Sequence, residues 1–85
     1  MTKLSFHLTE HAKKRCLQRK IEPNWIADTL TYPARIEQDE VDSDLVHALR
    51  VIPERGFRVL RVIFNETVDP LAVVTAYFDD EVKDL

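Results

Sequence analysis

The sequence predicts an α+β domain in which two N-terminal helices pack on one face of a three- to four-stranded antiparallel sheet. Apolar residues recur with helical spacing as far as Leu30, and beyond Pro33 the period falls toward two in segments rich in β-branched and aromatic side chains. Size gives the third reason. A chain of 85 residues with 45% hydrophobic content makes one small domain over residues 1–85. Such a chain buries only about 60 to 65% of the surface its unfolded form exposes, so each layer must cover the other.

The elements follow in order. Thr9, with Glu10 in the next turn, suits the N-cap of a helix running to about Arg19, and Leu8, Ala12 and Cys16 make its apolar stripe at spacing four. Pro23 suits the first turn of a second helix carrying Trp25, Ile26, Thr29 and Leu30. The residue before Pro33 is driven out of helical geometry, which ends that helix near Thr31. ARIEQDE reads as a polar edge strand, LVHALRVI as a second strand, FRVLRVIFN as a central third strand apolar on both faces, and LAVVTAYF as a fourth. In the fourth, strict alternation sends Ala72, Val74, Ala76 and Phe78 one way and Leu71, Val73, Thr75 and Tyr77 the other. Gly56, the only glycine, sits where a tight hairpin between the second and third strands needs a permissive backbone, and Asn65 to Pro70 form the next turn.

Composition narrows the function classes. One cysteine, Cys16, excludes an internal disulfide framework, and the N-terminus lacks the charged, apolar and small-residue order of a signal peptide, so a reduced, cytoplasmic location is expected. No apolar run approaches the roughly 18 residues of a membrane span. The formal net charge of −3 is unevenly laid out. Residues 1–35 carry seven Lys/Arg against three Asp/Glu; residues 36–44 hold five acids and no base; residues 45–64 hold four Arg against one Glu; residues 65–85 hold six acids and Lys83. One face can therefore be basic while the molecule is acidic.

Within HAKKRCLQR, His11, Arg15 and Arg19 fall at spacing four and drift by only about 40° per step, so they line one side of the first helix, with Lys14 beside them. Arginines offer forks of donors to phosphate, and histidine moves protons near neutral pH. On spacing alone the favoured reading is a solvated face with snorkelling arginines. His7 and His11 have the separation of a helical metal pair, yet no second cluster completes a site, so neither metal nor cofactor is expected. Cys16 and Trp25 read as core, His47 as a partial-core side chain of a strand, and the acidic run Glu37 to Asp44 as a solvated edge without calcium-loop spacing.

The order H-A-x-x-R-x-x-x-R from His11, I-x-P from Ile21, L-x-Y-P from Leu30 and V-V-T-A-Y from Val73 resembles a family of small bacterial and phage proteins catalogued as a domain of unknown function. That family looks related to the barnase, EndoU, colicin and RelE-like ribonuclease toxins. The resemblance runs from about Leu8 to Phe78, and it implies a toxin-like ribonuclease fold that cleaves RNA without a metal, the 2′-hydroxyl serving as internal nucleophile. On this reading His11 is the general base or acid, Arg15 and Arg61 stabilise the phosphorane charge, and Arg19 anchors a phosphate with Lys14 and Arg58 as further RNA contacts. Thr75 donates a hydrogen bond, and Tyr77 donates a proton or stacks on a base. RNA is the implied partner, together with an antitoxin or other protein. The competing class is a non-catalytic nucleic-acid- or protein-binding module, whose acidic edge and Asp79–Asp84 tail would dock a basic partner. A helix-turn-helix DNA reader fits less well, since the second helix presents Asp28 and apolar residues where base-reading side chains are wanted.

Overall fold

The computed structural model describes residues 5–85; residues 1–4 of the expected domain lie outside the described residues. Strand β1 (Phe6–Leu8) leads into α1 (Glu10–Gln18) and α2 (Pro23–Thr31), followed by β2 (Arg35–Gln38), β3 (Leu45–Ile52), β4 (Arg58–Asn65) and β5 (Leu71–Phe78). β2 to β5 form an antiparallel meander, and β1 adds to the outer side of β5 in parallel, giving the order β1-β5-β4-β3-β2. The two helices lie on one face, as expected, but the sheet is five-stranded and mixed rather than three- to four-stranded and antiparallel.

The extra strand has a local cause. Leu8, read as the start of the helical stripe, is instead the last residue of β1 and pairs with Val73. Thr9 then hands the chain from sheet to helix. Its N–H donates to the Val73 carbonyl at 3.0 Å while its hydroxyl accepts from the Ala12 N–H at 3.1 Å, so one residue ends the strand and caps α1. Arg19 is the C-cap, and α2 keeps the bounds that Pro23 and Pro33 impose.

Ala12 and Cys16 of α1, then Ile21, then Trp25 and Ile26 of α2, pack on Val46, Ala48, Ile52, Leu60, Val62, Phe64, Val73 and Ala76 of the sheet. Val73 and Ala76 share that core, which strict alternation forbids. The pairing of β4 with β5 slips between Ile63 opposite Thr75 and Phe64 opposite Val73, so β5 carries one extra residue there and its side-chain parity reverses. Below the irregularity Val73 faces the helices; above it Thr75 and Tyr77 face the open side.

The connection between β3 and β4 also differs from the tight hairpin. Pro53–Arg55 make a 3-10 turn, after which Gly56 (φ 69°) and Phe57 (φ 61°) both take left-handed backbone. A Cβ added at Gly56 would meet nothing within 4 Å. Glycine is therefore favoured by its dihedral and not by space, at about 1 kcal/mol for any other residue. Among the described residues no helix is long and apolar enough to cross a membrane.

Candidate functional site

The antiparallel registers stack polar side chains in two adjacent rungs on the open face. Arg35, Leu49, Arg61 and Tyr77 lie in one, and Glu37, His47, Ile63 and Thr75 in the next. Arg61, in a central strand, has a side chain only 11% exposed. Its Nε donates to Asp79 Oδ2 at 2.9 Å, and its Nη1 donates to Glu37 Oε1 at 2.9 Å and to His47 Nδ1 at 2.8 Å. A guanidinium has no acceptor, so Nδ1 must accept and the ring hydrogen belongs on Nε2. That hydrogen goes to Asp39 Oδ1 at 2.7 Å, with the His47 side chain 14% exposed. Asp39 in turn accepts the N–H groups of Val41 and Asp42 at 3.1 and 2.8 Å. A cleft of about 340 Å³ opens over Glu37, Asp39, His47 and Arg61.

The charges settle each other. Hydrogen bonds from Arg61 and then Arg35 hold the Glu37 carboxyl below its ordinary value, and the Asp42 N–H followed by His47 does the same for Asp39. Burial alone would lower the Arg61 pKa, but Glu37 and Asp79 hold it above its ordinary value. Carboxylates with depressed folded pKa values stabilise the fold above their unfolded pKa, and that contribution goes as pH falls through the folded pKa. Chemical denaturation should therefore show stability constant down to about pH 5 and falling from near the ordinary glutamate pKa of 4.5 downward. In Glu37→Gln the loss below that pH should be smaller. An unchanged acid limb in the variant would show that Glu37 is not coupled to folding.

A second cluster forms at the free edge of β5. β1 pairs with Leu71–Val73, so among the described residues the later β5 edge has no strand beside it, and α1 packs along this strand. Arg19, closing α1, reaches across. Its Nη1 donates to the Ala76 carbonyl at 2.8 Å and the Thr75 hydroxyl at 3.4 Å, and its guanidinium stands 5.9 Å from the centre of the Tyr77 ring. Nearby, Arg55 lies 4.8 Å from the Phe78 ring centre and 5.9 Å from that of Trp25, while its Nη1 donates to the Lys20 carbonyl at 3.2 Å. Arg58 covers Phe78 at 4.8 Å and grips Asp80 with two parallel bonds of 3.0 and 3.1 Å. Arginines thus alternate with aromatic rings around the end of the sheet.

Arg19, Thr75 and Tyr77, drawn from the two ends of the chain, come together here. Arg61 shares the rung of Tyr77, and Arg58 sits at the sheet end on the helix side. Arg15 is half-buried and donates to Gln18 at 3.1 Å. His11 and Lys14 are exposed on α1, and among the described residues no hydrogen bond engages their side chains. Two helical turns, about 12 Å, separate the His11 and Arg19 backbones, so His11 stands apart from the cluster.

His47, Asp39, Glu37 and Asp79 were not legible as a group. His47 carries a partial-core signal and the acids a solvated-edge signal, and only strand register makes Glu37 and His47 neighbours. The period-two parity of Arg35 and Glu37 against His47 and Arg61 is the signal that would have found them. Among the described residues no group of three His, Cys, Asp or Glu side chains is placed to hold a metal ion.

Comparison with curated proteins and with solved structures finds no match. A family model does match, over residues 8–78, from the last residue of β1 to the last of β5. That span includes both rungs of the open face and the whole α1 stripe. The chain belongs to the DUF4258 family, a domain of unknown function.

Proposed function

We propose that this domain is a metal-independent ribonuclease of the toxin type, with a fold akin to that of the barnase and RelE-like enzymes and an antitoxin or other protein as its regulator. The observation that carries the reading is the meeting of Arg19, Thr75 and Tyr77 on one strand edge: a cation, a hydroxyl and an aromatic ring within reach of one nucleotide. In the reaction the 2′-oxygen bonds to phosphorus as the bond to the 5′-oxygen breaks, leaving a 2′,3′-cyclic phosphate and a 5′-hydroxyl. One group must take the 2′-hydroxyl proton and another must deliver a proton to the departing oxygen. His11 and Tyr77 fill those roles. Arg15 and Arg61 face the developing phosphorane charge, Thr75 donates to a phosphoryl oxygen, and Arg19, Lys14 and Arg58 hold the flanking backbone. RNA spanning α1 and the β5 edge joins His11 to the cluster.

One observation favours RNA binding without cleavage. Arg61 and Arg58 are already neutralised by Glu37, Asp79 and Asp80, which leaves less charge for a transition state. Incubating the purified protein with total RNA in the presence of EDTA separates the readings: ends carrying a cyclic phosphate are the expected product. Arg15→Ala and Arg19→Ala should each make the salt dependence of RNA binding shallower, by about 0.7 in the log–log slope for each phosphate left without its cation. Salt-dependent binding without cleavage leaves the binding module, and no binding at low salt rejects both.

A further inference from the structure

Residues 79–84 hold four acids and one lysine, a net charge of −3 that equals the net charge of the whole chain. This segment is largely exposed, yet it is tied down. The Asp79 N–H donates to the Val59 carbonyl at 2.8 Å, which extends the β4–β5 pairing by one residue and keeps Asp79 on the open face, where its carboxylate takes Arg61 Nε at 2.9 Å. Alternation puts Asp80 on the other side, where it accepts the two parallel bonds from Arg58. The chain then runs to β2, where the Asp84 carbonyl accepts from Arg35 Nη2 at 2.8 Å. From β5 to β2 is three strand spacings, about 14 Å, within the reach of five extended residues. The segment thus links the end of β5 to the far edge of the sheet on the side away from the helices.

We propose that Arg58 and Arg61 form a polyphosphate-binding site straddling the end of the sheet, and that Asp79 and Asp80 stand in for its phosphates until a ligand displaces the segment Asp79–Asp84. That the ligand is an RNA backbone rests on the ribonuclease reading. A guanidinium fork meets carboxylate and phosphate with the same two-bond geometry, so the Arg58–Asp80 pair already has the form of the contact it would make to a phosphate. The two stand-ins differ in how firmly they hold. Asp80 is 67% exposed and its pair is screened by water, whereas Asp79 is 17% exposed and leaves second. An acidic chain binds a polyanion on these terms because its own acids move away from the arginines as the ligand arrives. Exchange of a carboxylate for a phosphate also frees no new cation, so the intact protein should show a shallower salt dependence than its arginine count implies.

The test compares the full-length protein with Asp79→Asn/Asp80→Asn, with Asp80→Asn alone, and with Glu66→Gln/Asp69→Asn, which removes the same charge from the β4–β5 connection. The probes are a single-stranded RNA dodecamer and inorganic tripolyphosphate. The double variant is expected to bind RNA about tenfold tighter at low salt, with a salt slope steeper by about 0.7 for Arg58, which loses its carboxylate partner, and by less for Arg61, which keeps Glu37. Asp80→Asn should give part of the gain with an unaltered melting curve, and the Glu66/Asp69 control should stay within about twofold of the intact protein. In the intact protein, tripolyphosphate should move the amide resonances of residues 79–84 toward unstructured values. Should tripolyphosphate do so, and bind the double variant more tightly than the control, while RNA binds no form, the site stands and the RNA reading falls. RNA binding that is equal in the double variant and the control overturns the proposal and leaves the ribonuclease reading intact. If neither anion distinguishes those two proteins, the proposal falls whatever RNA does.

Discussion

Arg61→Leu is expected to lower stability by about 3 kcal/mol, measured as a fall in the urea midpoint at pH 7 with an unchanged slope. The side chain binds a carboxylate from β2, a histidine from β3 and a carboxylate just past β5, and so ties all four antiparallel strands through one guanidinium. Leucine matches the bulk and abandons the partners. Asp79 would then lose its cation, Glu37 would keep only Arg35 at 3.1 Å, and His47 Nδ1 would keep no donor. The loss falls at the lower end of the range for broken buried pairs because Glu37 retains access to water. Arg61→Lys preserves the charge, but a single ammonium cannot hold three acceptors in the plane of a fork, so it should recover only part of the loss. A fall below about 1 kcal/mol for leucine would show the pairs to be screened as on an open surface.

The helical layer was legible because its signals are local. Thr9 caps what its neighbours require, Pro23 and Pro33 bound α2, and Trp25, Ile26 and Thr29 fall on the buried side that the period assigns. β1 was not legible, since three residues carry almost no period and its partner lies near the other end of the chain. The parity of β5 failed for another reason. An irregularity depends on how two strands fit, and neither LAVVTAYF nor FRVLRVIFN records it alone. The candidate site divides the same way. Arg19, Thr75 and Tyr77 come from motifs that the sequence displays, whereas the Glu37–Arg61–His47–Asp39 chain consists of residues whose local contexts look ordinary. Rungs are a property of register, and register is fixed by the hydrophobic face as a whole.

His11→Ala is expected to reduce RNA cleavage by about a hundredfold or more, the usual cost of losing a general acid or base, while stability moves by no more than about half a kcal/mol. The two halves of that expectation rest on different observations. His11 is exposed on α1, and among the described residues nothing hydrogen-bonds to its ring, so truncation creates neither a cavity nor an orphaned partner. Its chemical role rests on a substrate that bridges two helical turns, because Arg19 and not His11 touches the Thr75–Tyr77 edge. Tyr77→Phe separates the contributions on the strand side. It removes the hydroxyl and keeps the ring beside Arg19, so lost cleavage with retained RNA affinity places proton transfer at that oxygen, whereas lost affinity places the role in stacking. If HAKKRCLQR is only a solvated face, neither substitution will change cleavage or binding beyond error. Full cleavage by a folded His11→Ala protein would end this mechanism, and the proton would then have to be sought on the open face, where His47 gives its ring hydrogen to Asp39 and its other nitrogen to Arg61.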